Sequence, residues 1–135
     1  MYKHILVPVS FDEEEKTQRA LELSQILGGD GARVTLLHVM ERVPVYAISY
    51  IPDDYLTESR QAVEKDLAVR AASLPNAGAA VIEGHAGSGI LEWLDENDVD
   101  CVIIASHNPG VADYFLGGTA AHVVRHAQCS VHVVR

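Results

Sequence analysis

The chain has 135 residues, 48% of them apolar and 21% charged, which is the balance of one ordinary globular domain. Its 19 acidic residues outweigh 10 basic ones, for a formal charge of −9 with no Lys/Arg cluster, so a phosphate backbone would be repelled and nucleic acid is not an expected partner. No apolar run reaches the roughly 18 residues of a membrane span, and Met1-Tyr2-Lys3-His4-Ile5 does not open a signal peptide; a cytoplasmic protein without membrane insertion is expected.

Ile5-Leu6-Val7-Pro8-Val9 reads as a first strand, with Pro8 near its end, where a missing N–H does least harm. The acidic run Asp12-Glu13-Glu14-Glu15 favours a helix start through the macrodipole. Ala20, Leu23 and Leu27 continue that helix on one face, and Gly28-Gly29-Asp30-Gly31 stops it. Arg33 to Val39 is the second strand. A long helix from about Asp54 to Leu74 carries Leu56, Val63, Leu67, Ala71 and Leu74 on one stripe and ends at Pro75. Ala79 to Ile82 is a short third strand, and Ile90, Trp93 and Leu94 mark a third helix. Cys101 to Ala105 is continuously apolar, as a strand buried on both faces must be. Ala120, Val123, Val124 and Ala127 give a last helix, and Val131 to Val134 a fifth strand.

This strict β-α alternation predicts an α/β fold: one open five-stranded parallel sheet with helices on both faces, forming a single domain over residues 1–135. The two cysteines, Cys101 and Cys129, lie in apolar segments and read as buried thiols, not as a disulfide framework.

Two connections are long. Met40 to Asp53 is apolar and aromatic, with Val43, Val45, Tyr46, Ile48, Tyr50 and Ile51; it either folds over a pocket or into a subunit interface, or it caps the core. Ser106 to Gly118 runs from the end of a buried strand to the start of a helix. In an open α/β sheet, ligands bind at the carboxyl ends of strands where the strand order reverses, and backbone N–H groups with the positive helix end converge there on an anion.

Gly117-Gly118-Thr119-Ala120 is the most informative tetrapeptide. It is either a plain glycine turn or a phosphate cradle, in which glycine permits close backbone approach and Thr119 caps the helix or offers its hydroxyl. Ser106 and His107 add polar donors. Catalytic signatures are missing: there is no Walker lysine motif, Gly84-His85-Ala86-Gly87-Ser88-Gly89 lacks the last glycine of a dinucleotide fingerprint, and no GxSxG elbow occurs. His122 and His126 stand at i, i+4 without an intervening acid in HExxH fashion and read as solvent or interface residues. His38 ends the second strand beside the expected site. His4 and His132 read as structural.

Lys3 to Val9, Val34 to Val39, Ile103-Ile104-Ala105-Ser106-His107-Asn108-Pro109 and the ending from Gly118 to Arg135 together resemble the universal stress protein family along almost the whole chain, nearest its F/G-type members. The resemblance implies a Rossmann-like sheet in the order 3-2-1-4-5 and a site for ATP, with or without Mg²⁺, between strands one and four. Many members carry G-x2-G-x9-G-[ST]; aligned on Gly118-Thr119, the two earlier glycines fall on Ala105 and Asn108, and the spacing of nine residues before Gly118 is kept. The family's acidic residue after the first strand falls on Ser10. Carried over by position, Pro8, Val9, Ser10 and Val39 border base and ribose, Gly84 borders the site from the third strand's loop, Ala105, Ser106, His107 and Asn108 follow the phosphates, and Gly118, Thr119 and Ala120 close on them.

The expected function is an ATP-binding stress-response or signalling module, with an adenine nucleotide and an unidentified protein as partners and homodimerisation through the edge strand Val131–Val134. A slow ATPase and a nucleotide-free interaction protein with a degenerate site are the alternatives. In the order 3-2-1-4-5, the last strand leaves unpaired backbone groups at an edge, which invites pairing with a second copy.

Overall fold

A computed structural model describes residues 1–106 and 116–135. The elements in chain order are β1 (Tyr2–Pro8), α1 (Glu14–Leu27), β2 (Gly28–Met40), α2 (Val45–Ile48), α3 (Tyr55–Ala72), β3 (Ala77–Glu83), α4 (Ala86–Glu96), β4 (Cys101–Ala105), α5 (Gly118–His126) and β5 (Ser130–Val134). The strands form one parallel sheet in the order β3-β2-β1-β4-β5.

Alternation along each strand divides the core in two. Ile5, Val7 and Val9, with Val34, Leu36, Cys101 and Ile103, face α1 and α3 and pack on Ala20, Leu21, Leu67 and Ala71. Leu6, Leu37, Val102 and Ile104 face the other way, against Ile90 and Leu94 of α4 and Ala120 and Val123 of α5. The central strands are apolar at consecutive positions because both of their faces are covered.

Some boundaries differ from those read in the sequence. β2 begins at Gly28, not Arg33. Tyr2 pairs with Gly28 and His4 with Arg33, so the intervening residues bulge out of register. Gly31 takes φ +74° within that bulge, a conformation glycine adopts without strain. On α1 the buried face centres on Thr17, Ala20, Leu21 and Ser24, with Leu23 and Leu27 at its margin. The apolar stripe of α3 is buried at Leu67 and Ala71, while Leu56 is exposed. The Met40–Asp53 segment contains the short helix α2, none of whose residues is buried. Val45, Tyr46 and Tyr50 are 87%, 81% and 87% exposed, so this part of the segment does not cap the core. Among the described residues, no helix is long and apolar enough to cross a membrane.

The amino ends of β1 and β4 are tied by polar groups. Backbone N–H groups of Lys3 and His4 donate to the two carboxylate oxygens of Asp100 at 2.9 and 3.0 Å, and Asp100 N–H donates to the His4 carbonyl at 3.1 Å. The buried His4 ring lies 2.9 Å from the Asn97 carbonyl through Nδ1 and 2.9 Å from Thr35 Oγ1 through Nε2. The Arg33 guanidinium also reaches Nδ1, with Nη2 3.0 Å away. Trp93 meets the ring edge-on at 5.8 Å.

Burial holds the His4 pKa below its ordinary value, and the Arg33 guanidinium adds to this against the Asn97 carbonyl and nearby aspartates. Burial alone would raise the Asp100 pKa, but the N–H bonds from Lys3 and His4 outweigh it and the net shift is downward. The unfolded chain therefore takes up a proton on His4 before the folded chain does, and stability falls with pH in that window. The urea midpoint is expected to hold level above the unfolded value of 6.5 and to drop as pH falls through it toward the lowered folded value. His4→Gln should flatten this step. A wild-type midpoint that does not change between about pH 7.5 and about pH 5 would refute the assignment.

Candidate functional site

Parallel strands expose their carboxyl ends together, and here those ends surround a cavity of about 390 Å³ between β1, β2, β4 and the start of α5. Its wall brings together Pro8, Val9, Ser10, Val39, Ala105, Gly118, Thr119 and Ala120, eight of the positions expected from the sequence. Gly84 lies in an adjoining cavity with Arg42, His85 and Ser88, and Glu41 borders both cavities. Ser106 is buried and does not line the cavity. His107 and Asn108 lie outside the described residues.

Local chain geometry opens the crevice. Val9 N–H donates to the Leu37 carbonyl at 2.8 Å, so Val9 turns its peptide groups toward β2. Successive residues of a strand address opposite neighbours, which turns Pro8 toward β4 with no N–H to offer. Pairing of β1 with β4 is recorded at Ile5 with Cys101 and Leu6 with Val102. Beyond that point the two strands part.

The end of the cavity nearest α5 is built for an anion. Gly117 is the N-cap residue, with no side-chain cap, and Ala121 N–H bonds back to its carbonyl at 2.9 Å. Thr119 therefore lies inside the first turn and is not the cap. The N–H groups of Gly118, Thr119 and Ala120 have no partners within the helix, and the positive end of the macrodipole lies there. Gly118 needs no left-handed backbone, and a Cβ added to it meets nothing within 4 Å among the described residues.

Ser106 holds this turn from behind. Its N–H donates to the Val134 carbonyl at 2.8 Å, and its Oγ accepts the Gly117 N–H at 3.2 Å. The serine hydroxyl thus joins the ends of β4 and β5 to the start of α5.

Further lining comes from the ends of β1 and β2 and from α4, and sequence reasoning missed most of it. Asp12 and Glu41 line the cavity with His38, Leu37, Ala86 and Ile90. His38 Nδ1 lies 2.8 Å from the Val9 carbonyl, so Nδ1 donates and Nε2 is left as the second polar atom. Phe11 packs on the His38 ring at 5.0 Å, and Arg70 sits 5.7 Å over Phe11. Glu14 receives both terminal nitrogens of Arg70 at 2.7 and 2.8 Å, and these hydrogen bonds hold its carboxyl below the usual range. Ser10 stands where a carboxylate was expected, but Asp12, two residues on, brings one to the same cavity. The position of Glu41, just past the carboxyl end of β2, was the available signal for its role. Ala86 and Ile90 depend on how α4 crosses the sheet, which no local pattern encodes.

Among the described residues, no group of three or more His, Cys, Asp and Glu side chains could hold a metal ion. Burial pushes the Cys101 thiol up to about 11, so it stays protonated and inert near neutrality.

The sequence profile of the "Universal stress protein family" matches residues 1–135. Universal stress protein G of Shigella flexneri is 29% identical over 142 residues, covering 100% of both chains. The structure of universal stress protein UspA from Lactobacillus plantarum superposes with a TM-score of 0.80 at 22% identity, covering 99% of this chain and 98% of that one. An Arabidopsis thaliana protein of the same family with AMP bound matches with a TM-score of 0.66 at 17% identity, covering 98% and 90%. A universal stress protein in complex with cAMP matches at 0.68 and 19% identity, covering 99% and 97%.

Ser106→Ala removes the acceptor for Gly117 N–H. It is expected to destabilise the chain by about 1–2 kcal/mol and to speed amide exchange at Gly117 and Gly118 above that of the α4 amides. Unchanged exchange at Gly117 would show that the serine does not hold the turn.

Proposed function

The chain belongs to the universal stress protein family along its whole length, and from that premise we propose that the cavity binds an adenine nucleotide, with ATP the leading ligand, and that the chain works as a nucleotide-sensing dimeric stress-response module, not as an enzyme. The observation that carries this reading is the make-up of one cavity, which combines the N–H groups at the start of α5 with Asp12, Glu41 and His38 from the ends of β1 and β2. Phosphates go to the helix end, where N–H groups and the dipole receive them. Base and ribose go to the other end, where carboxylates can accept from an amine or a diol and would repel a phosphate. The family neighbours crystallised with AMP and with cAMP are consistent with this orientation of function.

A Mg²⁺ ion accompanying ATP would be held by phosphate oxygens and water. Among the described residues, no Lys or Arg and no nucleophile–base pair lines the cavity, which favours binding over turnover. The ligand acts by differential affinity: a nucleotide that binds one of two states of the chain more tightly lets a partner distinguish them.

The rival reading is a nucleotide-free interaction protein, favoured by the exposed Val45, Tyr46, Ile48 and Tyr50 around α2. Mass spectrometry of small molecules released from the purified chain, followed by incubation with ATP and Mg²⁺, separates the two. Retained adenine nucleotide supports the sensor, accumulating ADP supports slow hydrolysis, and no ligand uptake supports the interaction protein.

Gly118→Val tests the anion end. An added Cβ has space, and the backbone there is ordinary helix, so the fold is expected to survive while nucleotide binding is abolished. Unchanged affinity by isothermal titration would reject the cradle. The dimer is tested at β5, an edge strand whose Ser130 and His132 are exposed. The wild-type chain is expected to sediment as a dimer at tens of micromolar and His132→Glu as a monomer, because like charges meet across a two-fold axis. A monomeric wild type would reject the interface.

A further inference from the structure

A phosphate at the start of α5 faces a difficulty of charge. The chain carries a net −9, the same cavity holds the carboxylates of Asp12 and Glu41, and among the described residues its lining contains no Lys or Arg. The uncapped N–H groups supply partial charges but no full cation.

One cation stands immediately behind that end. Lys16 lies in the first turns of α1, and its Nζ donates to the carbonyl of Ser106 at 2.5 Å, across the gap between α1 and the end of β4. The ammonium is also 3.6 Å from Glu13, and the side chain is 24% exposed. A lysine near a helix N-terminus opposes the macrodipole, so its own helix does not favour it there. The contact that holds it is the one to Ser106. That residue is buried, its neighbour Ala105 lines the cavity, and its hydroxyl accepts the N–H of Gly117, which also lines the cavity.

We propose that Lys16 is a positioning residue for the phosphate end of the site: by holding the Ser106 carbonyl it fixes the hydroxyl that orients Gly117, and it places a full positive charge behind the N–H groups that receive the anion. This rests on the nucleotide reading of the cavity and adds the group that makes the site select a phosphorylated nucleoside over the bare nucleoside. Lys16 touches no ligand atom in this account. It acts through Ser106 and through its field, which the partly buried position screens less than open solvent would.

The test is titration calorimetry of the full chain with adenosine, AMP and ATP, for the wild type, Lys16→Met and Lys16→Arg, at several salt concentrations. Methionine retains a long, helix-favouring side chain without the charge, and circular dichroism checks that the variant folds. Lys16→Met is expected to weaken AMP and ATP on the order of tenfold and to leave adenosine unchanged. The dependence of ATP affinity on salt should become shallower, and Lys16→Arg should recover most of the loss. Equal loss for adenosine and AMP would reduce Lys16 to a structural contact and overturn the proposal, as would AMP and ATP affinities equal to the wild type's. A wild type that binds none of the three would instead reject the nucleotide reading itself, and the charge argument with it.

Discussion

The parting of β1 from β4 is the constraint on which the site depends. The two central strands pair at Ile5 and Leu6, and the ladder between them ends at Pro8, which turns toward β4 without a hydrogen to donate. A residue with an N–H at that position could extend the ladder and narrow the crevice. The helices after the two strands leave on opposite faces, α1 on one and α5 on the other. The cavity is therefore a consequence of strand order and one missing donor, and it needs no irregularity in the core.

Electrostatics then give that cavity a direction. The start of α5 brings N–H groups that end in no side-chain cap, while the ends of β1 and β2 bring Asp12, Glu41 and a histidine whose donor is already committed to Val9. A ligand with uniform charge would be repelled at one end or the other. A molecule with an anionic tail and a neutral, hydrogen-bonding head fits both. The replacement of the expected acid by Ser10 matters less in this setting than it does on the page of sequence, because Asp12 supplies a carboxylate to the same wall.

The alternation of apolar runs and helical stripes was legible because each element carries its own period, two in the strands and 3.6 in the helices. The sheet order came with the family likeness and agrees with the register of the strands. The start of β2 was not legible: Gly28, Gly29 and Gly31 have turn composition, and only pairing with Tyr2 makes the first of them part of a strand. Leu56 looked like a core residue because it falls on the stripe of α3, but the buried part of that stripe is at Leu67 and Ala71, further along the helix. In the site, Gly118 and Thr119 were readable from their chemistry. Ser106 was readable as important but not in its role, since a serine at a strand end can face a ligand or brace a turn. Its partners, Gly117 and Lys16, are brought to it by the tertiary fold. His38 and Glu41 needed the crevice before their position acquired meaning.

The two ends of the sheet divide stability from function. At the amino ends, Asp100 takes the N–H groups of Lys3 and His4, and the His4 ring is enclosed by Asn97, Thr35 and Trp93, so that both ring nitrogens have partners. At the carboxyl ends the opposite rule holds: among the described residues, N–H groups of α5 stand without side-chain caps and carboxylates line a cavity without cations. Unmatched polar groups at one end are tolerable because the other end, together with the two apolar layers, fixes the strands independently of any ligand. A ligand that matches the open end can then shift the balance there without unfolding the sheet, since the clamp at Asp100 does not depend on it.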